Sequence, residues 1–244
     1  MCGIAGVINY ESINLENLMR SLQHRGPDDK NIYKESHIAL IHTRLAIQDI
    51  QNGSQPFHYQ NFSIIFNGEI YNHQALRLYL REFTFKTNSD TETLLYLFIK
   101  YQYKMFDMLD GMYVFCIYDR KKQEIVLARD RAGKKPLYYF QDNKMFIFAS
   151  ELNAIKSVKK LDILPDAVNC YLRTGMIWKP FTAYRNVFEL ESASYLILDI
   201  HTLQSKINTY FSIVERYKKK SDTKLNFQEI LNKLDLNLKK KCVR

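Results

Sequence analysis

The chain opens Met1-Cys2-Gly3-Ile4-Ala5-Gly6, which places a cysteine directly after the first methionine. If Met1 is removed, the thiol and a free α-amino group belong to the same residue. An α-amino group titrates near ~8 and a free thiol near ~8.5, whereas lysine titrates near ~10.4. Because a thiol attacks an amide best beside a base of matched pKa, such a cysteine needs no separate histidine. The alternative is that Cys2 is a small apolar residue in a buried first strand, and the opening alone favours neither interpretation.

The composition predicts a globular protein with reduced thiols. With 244 residues, 46% of them hydrophobic, the chain can bury one large core or two modest ones. Its longest apolar runs, such as Met112 to Tyr118, are too short to cross a bilayer, and the N-terminus lacks the features of a secretory signal. The four cysteines show no paired spacing and no C-x-x-C motif. We therefore expect a cytoplasmic protein with Cys116 and Cys170 in its core.

The positive charge is concentrated at the C-terminal end. From Ile213 to Arg244 there are ten basic and four acidic residues, which accounts for +6 of the net charge of +9. Such asymmetry predicts a basic tail, not a basic face built into the fold. The sequence contains neither zinc-finger spacing nor a recognisable aromatic RNA-binding motif, so nucleic-acid binding through the tail is a weak alternative.

Hydrophobic periodicity predicts short strands mixed with helices. Strands are predicted at residues 3–9, 38–47, 62–66, 112–118, 125–128, 137–140 and 145–149. Helices are predicted at residues 15–22 and 72–81, from a cap at Asp90 to Tyr101, and behind a capping box at Asn226-Phe227-Gln228-Glu229. Strands grouped between helical segments favour layers of antiparallel sheet covered by helices.

An ordered set of motifs runs through most of the chain. They are Met1-Cys2-Gly3-Ile4, His24-Arg25-Gly26-Pro27-Asp28, Arg44-Leu45-Ala46-Ile47-Gln48-Asp49, Asn67-Gly68-Glu69-Ile70-Tyr71-Asn72, Ser89-Asp90-Thr91-Glu92, Arg129-Asp130-Arg131-Ala132-Gly133-Lys134-Lys135-Pro136-Leu137-Tyr138-Tyr139 and Ala149-Ser150-Glu151. In this order they resemble the glutaminase domain of glutamine-hydrolysing asparagine synthetases, a class II glutamine amidotransferase. The resemblance implies an α+β, four-layer αββα N-terminal-nucleophile hydrolase sandwich over residues 2–211. Residues 212–244 would form a basic linker and an amphipathic helix.

The resemblance also implies a reaction and its catalytic residues. Cys2 Sγ would attack the side-chain amide of L-glutamine, and water would release L-glutamate from the thioester after ammonia has left. The Asn67 side chain and the Gly68 backbone N–H would stabilise the oxyanion, where each donor is worth about 10²- to 10³-fold in rate. Taken alone, Asn67-Gly68 after a predicted strand is more typical of a hairpin turn.

The remaining implied site residues would bind the two charged groups on the α-carbon of glutamine. The planar fork of Arg44 suits the α-carboxylate, and Asp90, assisted by Glu69, suits the α-ammonium. Leu45, Ala46, Ile47 and Gln48 would line the pocket, partly through backbone groups. The alternatives are that Arg44 is a surface residue at a strand end and that Asp90 is a plain helix cap.

No cofactor or metal is expected in this chain. His24 is expected to be structural, and His42, His58 and His73 lack zincin-type spacing. ATP and Mg²⁺ are expected only in the synthetase domain of this family, whose Ser-Gly-Gly-x-Asp-Ser loop does not occur in the sequence. We therefore expect either a fragment or a chain served by a separate ATP-dependent synthetase subunit, which would receive the ammonia.

Three points remain open at this stage. The sequence does not decide between a working glutaminase and a catalytically silent docking module for a synthetase. A homodimer is compatible with the resemblance, whereas a membrane partner is not. The family pattern breaks at Ser192-Ala193, where a Pro-Gly pair is usual, and we expect a changed turn there with an unaffected site.

Overall fold

Two six-stranded antiparallel sheets form the centre of the computed structural model, which describes residues 1–218 and 226–242. The strands are β1 (Gly3–Ile8), β2 (Asp29–Glu35), β3 (Ile38–Arg44), β4 (Phe57–Tyr59), β5 (Phe62–Ile70), β6 (Gly111–Asp119), β7 (Glu124–Arg129), β8 (Tyr138–Gln141), β9 (Phe146–Ala149), β10 (Val187–Glu189), β11 (Ser194–Asp199) and β12 (Ser205–Thr209). The first sheet has the order β10-β8-β9-β1-β3-β2, and the second has the order β12-β11-β7-β6-β5-β4.

Helices are distributed along the chain between the strands. The α-helices are α1 (Leu15–Leu22), α2 (His73–Arg77), α3 (Asp90–Tyr101), α4 (Leu152–Lys156), α5 (Pro165–Thr174), α6 (Ile213–Lys218) and α7 (Phe227–Cys242). Short 3₁₀ turns occupy Tyr10–Ser12, Gln23–Arg25 and Gln102–Asp107.

Three apolar layers separate the sheets from each other and from the helices. Because successive strand residues point to opposite faces, β1 sends Ile4 and Ile8 into the core between the sheets and Val7 into the core beneath α1 and α4. A third core lies between the second sheet and α3. The architecture is therefore the predicted αββα sandwich, and β1 is buried on both faces.

A histidine joins the two sheets near the end of β3. His42 is fully buried, and its Nε2 lies 3.2 Å from the carbonyl oxygen of Phe66 on β5, so Nε2 carries the hydrogen and donates it. Burial lowers the pKa of His42 to about 4, which keeps the ring neutral. This contact connects the strand that ends at Arg44 to the strand that carries Asn67.

Three predicted element boundaries differ from the structure by three or more residues. Strand β3 ends at Arg44 instead of residue 47, because the Ala46 N–H donates to the Asp28 carboxylate. Strand β5 continues past residue 66 to Ile70, paired with β6. Helix α2 stops at Arg77 instead of residue 81. After Arg77 the backbone hydrogen bonds join residues three apart, as in a 3₁₀ turn, and this tighter turn buries Leu80.

The structure confirms one expectation about a single residue and contradicts two others. Cys116 is fully buried as expected, but the prediction for Cys170 is wrong, since it is only partly buried on α5. Ser89, not Asp90, caps α3, because its hydroxyl accepts the Thr91 N–H. At the altered Ser192-Ala193 turn, Ala193 has φ +55°, a conformation that favours glycine.

The chain divides into two compact units, Met1–Tyr210 and Phe211–Arg244. In the second unit, Asn226 and Glu229 exchange hydrogen bonds in a capping box at the start of α7, and the apolar face of that helix is exposed. Residues 219–225 and 243–244 of the predicted basic tail lie outside the described residues. Within the described parts, every helix is too short or too polar to span a membrane.

Protonation of His42 is expected to destabilise the fold. Its pKa falls from an ordinary 6.5 to about 4 on folding, so the stabilisation is complete above pH 6.5 and is lost as the pH falls towards 4. A shift of this size corresponds to about 3 kcal/mol. His42→Gln keeps a donor for the Phe66 carbonyl but does not titrate. Urea unfolding at pH 7 and pH 4 should show wild type losing about 3 kcal/mol more than this variant; equal losses would contradict the assignment.

Candidate active site

One pocket of about 210 Å³ lies where the starts of β1 and α3 approach the end of β3 and the middle of β5. It collects nine of the ten predicted site residues, namely Cys2, Arg44, Leu45, Ile47, Gln48, Asn67, Gly68, Glu69 and Asp90. The tenth, Ala46, lies in the same segment and uses its backbone N–H to bind Asp28 at 2.7 Å. Residues from four separate elements therefore meet at one cavity.

Cys2 presents its sulfur to this pocket. Its Sγ lies 3.4 Å from the backbone nitrogen and 3.6 Å from the carbonyl oxygen of Leu45. The Cys2 carbonyl accepts a hydrogen bond of 3.0 Å from Arg25 Nε, and the Ile4 amide binds Ser150 Oγ at 3.0 Å. These contacts fix the start of β1, so the thiol lies against the wall of a cavity and is not packed into the core.

The Arg25-Gly26-Pro27-Asp28 motif lies beside Cys2 and orders it. Arg25 donates to Glu151 at 2.8 Å as well as to the Cys2 carbonyl. His24 also contacts Glu151, at 3.0 Å. A Cβ on Gly26 would lie 2.3 Å from the Thr43 backbone, so only glycine fits there. The motif therefore positions the nucleophile candidate, and His24 has a structural partner.

Asn67 and Gly68 lie inside β5, paired with Val114 and Tyr113, so the hairpin interpretation is wrong. The Asn67 side chain is 2% exposed, and its Nδ2 has no hydrogen-bond acceptor among the described residues. A Cβ on Gly68 would lie 2.2 Å from the Met112 carbonyl oxygen, so the close approach of β6 requires glycine there. The pocket therefore contains a buried amide donor without a partner in the part of the chain that the structure describes, which costs about 1–3 kcal/mol.

Arg44 is buried at the end of β3, contrary to the alternative that it is a surface residue. It donates to the backbone carbonyls of Gln48, Asp49 and Ile50 at 3.0, 2.7 and 3.1 Å. Arg44 therefore shapes the segment that closes one side of the pocket. Its remaining N–H groups are compatible with an anionic ligand in the same pocket.

Negative charge is also present in the pocket. Asp90 is almost completely buried, and one of its oxygens accepts the Ile70 N–H at 3.0 Å. Burial, reinforced by the neighbouring Glu69 carboxylate, raises the pKa of Asp90 to about 6. Gln48 Nε2 lies 3.5 Å from a Glu69 oxygen. Two carboxylates in a partly desolvated site favour a ligand that carries positive charge there.

Sequence reasoning assigned no role to several residues that line the pocket. Lys135 is the most prominent, since its ammonium lies 3.0 Å from Met1 Sδ beside Cys2. The signal was present, because Lys135 belongs to one of the quoted motifs. Gln55 was also missed; it bridges the Phe66 N–H and the Thr91 hydroxyl and so connects β5 to α3. No motif marks Gln55, so only the tertiary structure identifies it.

The described residues contain no group of three or more histidine, cysteine, aspartate or glutamate side chains that could hold a metal ion. The arrangement instead offers a thiol, an unpartnered amide donor, an arginine and a buried carboxylate around one cavity. This combination suits nucleophilic attack on the carbonyl carbon of a small zwitterionic ligand.

A family model described as a glutamine amidotransferase domain matches residues 1–211. The chain belongs to the glutamine amidotransferase family. Among curated relatives, this amidotransferase is 36% identical to the putative asparagine synthetase [glutamine-hydrolyzing] 2 of Methanocaldococcus jannaschii, over 94% of this chain and 50% of that protein. It is 38% identical to asparagine synthetase B of Escherichia coli, over 65% of this chain and 30% of that protein.

The relatives confirm the resemblance read from the motifs, and the chain spans at most about half of their length. Among solved structures, the amidotransferase superposes on the glutamine phosphoribosylpyrophosphate amidotransferase from B. subtilis with a TM-score of 0.62 and 23% identity. That match covers 84% of this chain and 49% of the other. It confirms the N-terminal-nucleophile hydrolase fold.

Replacing Asn67 by leucine is expected to leave the amidotransferase as stable as wild type or more stable, by up to about 1 kcal/mol. The physical reason is that the substitution removes a buried donor that has no acceptor among the described residues. Urea unfolding at pH 7 measures the difference.

Asn72→Leu is the matched control, because the Asn72 side chain donates to the Met108 carbonyl and accepts from the Asp110 N–H. This variant should lose about 1–3 kcal/mol. An Asn67→Leu variant as unstable as Asn72→Leu would mean that Asn67 has a structural partner.

Proposed function

We propose that this chain hydrolyses L-glutamine to L-glutamate and ammonia through Cys2. The observation that carries the proposal is the content of one pocket: a cysteine thiol, a buried amide donor without an acceptor among the described residues, an arginine and a buried aspartate. Family membership limits the ligand to one with a transferable amide nitrogen. Glutamine places an amide at one end and a zwitterionic centre at the other.

The charged residues of the pocket match the two charges that glutamine carries on its α-carbon. Arg44 binds the α-carboxylate with the N–H groups that do not hold the backbone of residues 48–50. Asp90 and Glu69 bind the α-ammonium. Gly53 and Ile47 also line the pocket, and a side chain at position 53 would approach Arg44 Nη2 to 2.5 Å. The amide end of glutamine then faces Cys2 and Asn67.

The chemistry requires Met1 to be removed. The free α-amine of Cys2 accepts the thiol proton while Sγ forms a bond to the amide carbon, and the amide oxygen becomes an oxyanion. Asn67 Nδ2 and the Gly68 N–H donate to that oxyanion. The ammonium of Cys2 returns its proton to the departing nitrogen, which leaves as ammonia. Water then cleaves the thioester and releases glutamate and the thiol.

The ammonia is destined for amide synthesis by an ATP-dependent synthetase domain or subunit. The relatives are named as glutamine-hydrolysing asparagine synthetases, and they are about twice as long as this chain or longer. Asparagine is therefore the first product to test, with a related amide as the alternative. Measurable glutamine hydrolysis distinguishes this proposal from the alternative of a catalytically silent docking module.

Cys2→Ala is expected to abolish glutamine hydrolysis, because no sulfur remains to form the thioester. The thermal unfolding midpoint should stay close to that of wild type. Coupled detection of glutamate measures turnover, and an intact-mass measurement verifies that Met1 has been removed. Wild-type protein that retains Met1 should also be inactive, since its Cys2 nitrogen is an amide.

Cys170→Ala is the matched control, because this thiol is partly buried on α5, outside the lining of the pocket. It should hydrolyse glutamine at the wild-type rate. Turnover by Cys2→Ala, or equal activity with and without Met1, would overturn the nucleophile assignment.

Glutamine binding is expected to weaken as the pH falls through about 6, the pKa of the buried Asp90 carboxyl. The ionised carboxylate attracts the α-ammonium, whereas the protonated form does not, so affinity should fall towards about tenfold per pH unit below this value. Calorimetric titration of Cys2→Ala with glutamine between pH 5 and 8 measures binding without turnover.

In the same Cys2→Ala background, Asp90→Asn should bind glutamine at least about tenfold more weakly at pH 7.5. Its affinity for glutamine should also no longer fall as the pH drops through about 6. A step that persists in the asparagine variant would assign the titration to another group. Unchanged affinity would remove Asp90 from the ligand site.

A further inference from the structure

Lys135 places a buried positive charge at the start of the chain. The side chain is 4% exposed and lines the same pocket as Cys2. Its ammonium donates to Met1 Sδ at 3.0 Å, and a thioether is a weak acceptor. In the described residues the ammonium forms no ion pair within 4.0 Å. When Met1 is removed, the sulfur leaves and the ammonium remains in the pocket that Cys2 lines.

The turn before Lys135 fixes the backbone from which this charge extends. Asp130 is buried and accepts the backbone N–H groups of Ala132, Lys134 and Lys135, each at 3.0 Å. Gly133 adopts φ +64°, which allows the tight turn. The Asp130 carboxylate is therefore committed to backbone N–H groups. It shapes the turn instead of pairing directly with the lysine.

The charges that face Lys135 come from several elements. Arg25 donates to the Cys2 carbonyl through Nε, and its guanidinium also forms an ion pair with Glu151 at 2.8 Å. Glu69 and Asp130 contribute negative potential, while burial and Arg25 lower the pKa of Lys135. The negative charge that Cys2 carries as a thiolate opposes this lowering of the Lys135 pKa. Two cationic side chains, Arg44 and Lys135, thus line the pocket without an ion pair in the described residues. Arg44 donates to the carbonyls of residues 48–50, whereas the Lys135 ammonium contacts Met1 Sδ.

A cation next to an amine and a thiol affects both in a known direction. It makes protonation of the amine less favourable and formation of the thiolate more favourable. A free α-amino group with a pKa near ~8 is mostly protonated at pH 7 and cannot then accept a proton. We propose that Lys135, once Met1 is gone, keeps the α-amine of Cys2 uncharged and stabilises the thiolate that forms as the thiol gives its proton to that amine, and so prepares the nucleophile at neutral pH. The proposal rests on the proposed N-terminal cysteine mechanism and assigns Lys135 a role through Cys2, not through glutamine.

Alkylation of Cys2 by iodoacetamide tests this role without glutamine turnover. The protein is the full chain with Met1 removed, as verified by intact mass, in a background with Cys170→Ser and Cys242→Ser; Cys116 is fully buried. The alkylation rate is followed from pH 5 to 10. Lys135→Met should move the pH midpoint upward by about one unit, whereas Lys135→Arg, which keeps the charge, should stay close to wild type.

The pH profile of glutamine hydrolysis is the second measurement. Lys135→Met should lower kcat/KM about tenfold at pH 7 and approach wild type near pH 9, because added base replaces the effect of the cation. A purely structural defect would lower kcat/KM at every pH and would not be rescued by Lys135→Arg. Lys135→Gln provides the same comparison if the methionine variant does not fold.

Three results would overturn the inference. The first is an unchanged alkylation midpoint in folded Lys135→Met or Lys135→Gln. The second is an equal shift in Lys135→Arg. The third needs no variant: a wild-type midpoint above about 8, the ordinary range of a free amine and thiol. If the midpoint shifts as expected but wild type releases no glutamate, the proposed function fails while the electrostatic role of Lys135 stands.

Discussion

The candidate site depends on a fixed distance between two sheets. Cys2 precedes a strand of the first sheet, and Asn67 lies on a strand of the second. The apolar layer between the sheets sets their spacing, and the hydrogen bond from His42 to the Phe66 carbonyl connects them near the pocket. Because Phe66 directly precedes Asn67, a small shift of one sheet would move the amide donor away from the sulfur. Nucleophilic chemistry requires such positions to be held within a fraction of an ångström.

Several motif residues that do not line the pocket hold the pocket residues in position. Glu92 is fully buried and accepts the N–H groups of Lys86 and Thr87, which fixes the loop before α3 and therefore the position of Asp90. Ser150 binds the Ile4 amide, and Arg129 donates to the Leu190 and Gly133 carbonyls, at 2.5 and 2.7 Å. These polar and charged side chains supply hydrogen-bond partners that the backbone does not provide there. The motifs are thus positioning devices around a small reactive centre.

Sequence patterns predicted the strands with strong apolar character, such as β1 and β6, and the ordered motifs predicted the sandwich and nine of the residues that line the pocket. They missed β2, whose polar residues show no clear alternation because it is an edge strand. They also ended β5 too early, because Asn67-Gly68 is a common turn sequence. Local composition does not reveal that β6 lies close enough to require glycine at position 68. The roles of Gln55 and Lys135 depend on contacts more than ten residues away in sequence, which periodicity cannot detect.

The pocket also contains groups that oppose folding. A buried amide donor without an acceptor among the described residues, a desolvated carboxylate and a buried ammonium beside a thioether each cost free energy in the unliganded protein. A sequence selected for stability alone would replace them with apolar side chains. Their convergence on one cavity is explained if a ligand supplies the missing partners: an oxyanion for Asn67 and a cation for Asp90. Lys135 differs from these two, because a ligand cation would repel it and its nearest reactive group is the N-terminal cysteine. In the proposed reaction, Asn67 and Asp90 therefore contact the ligand, whereas Lys135 acts on Cys2.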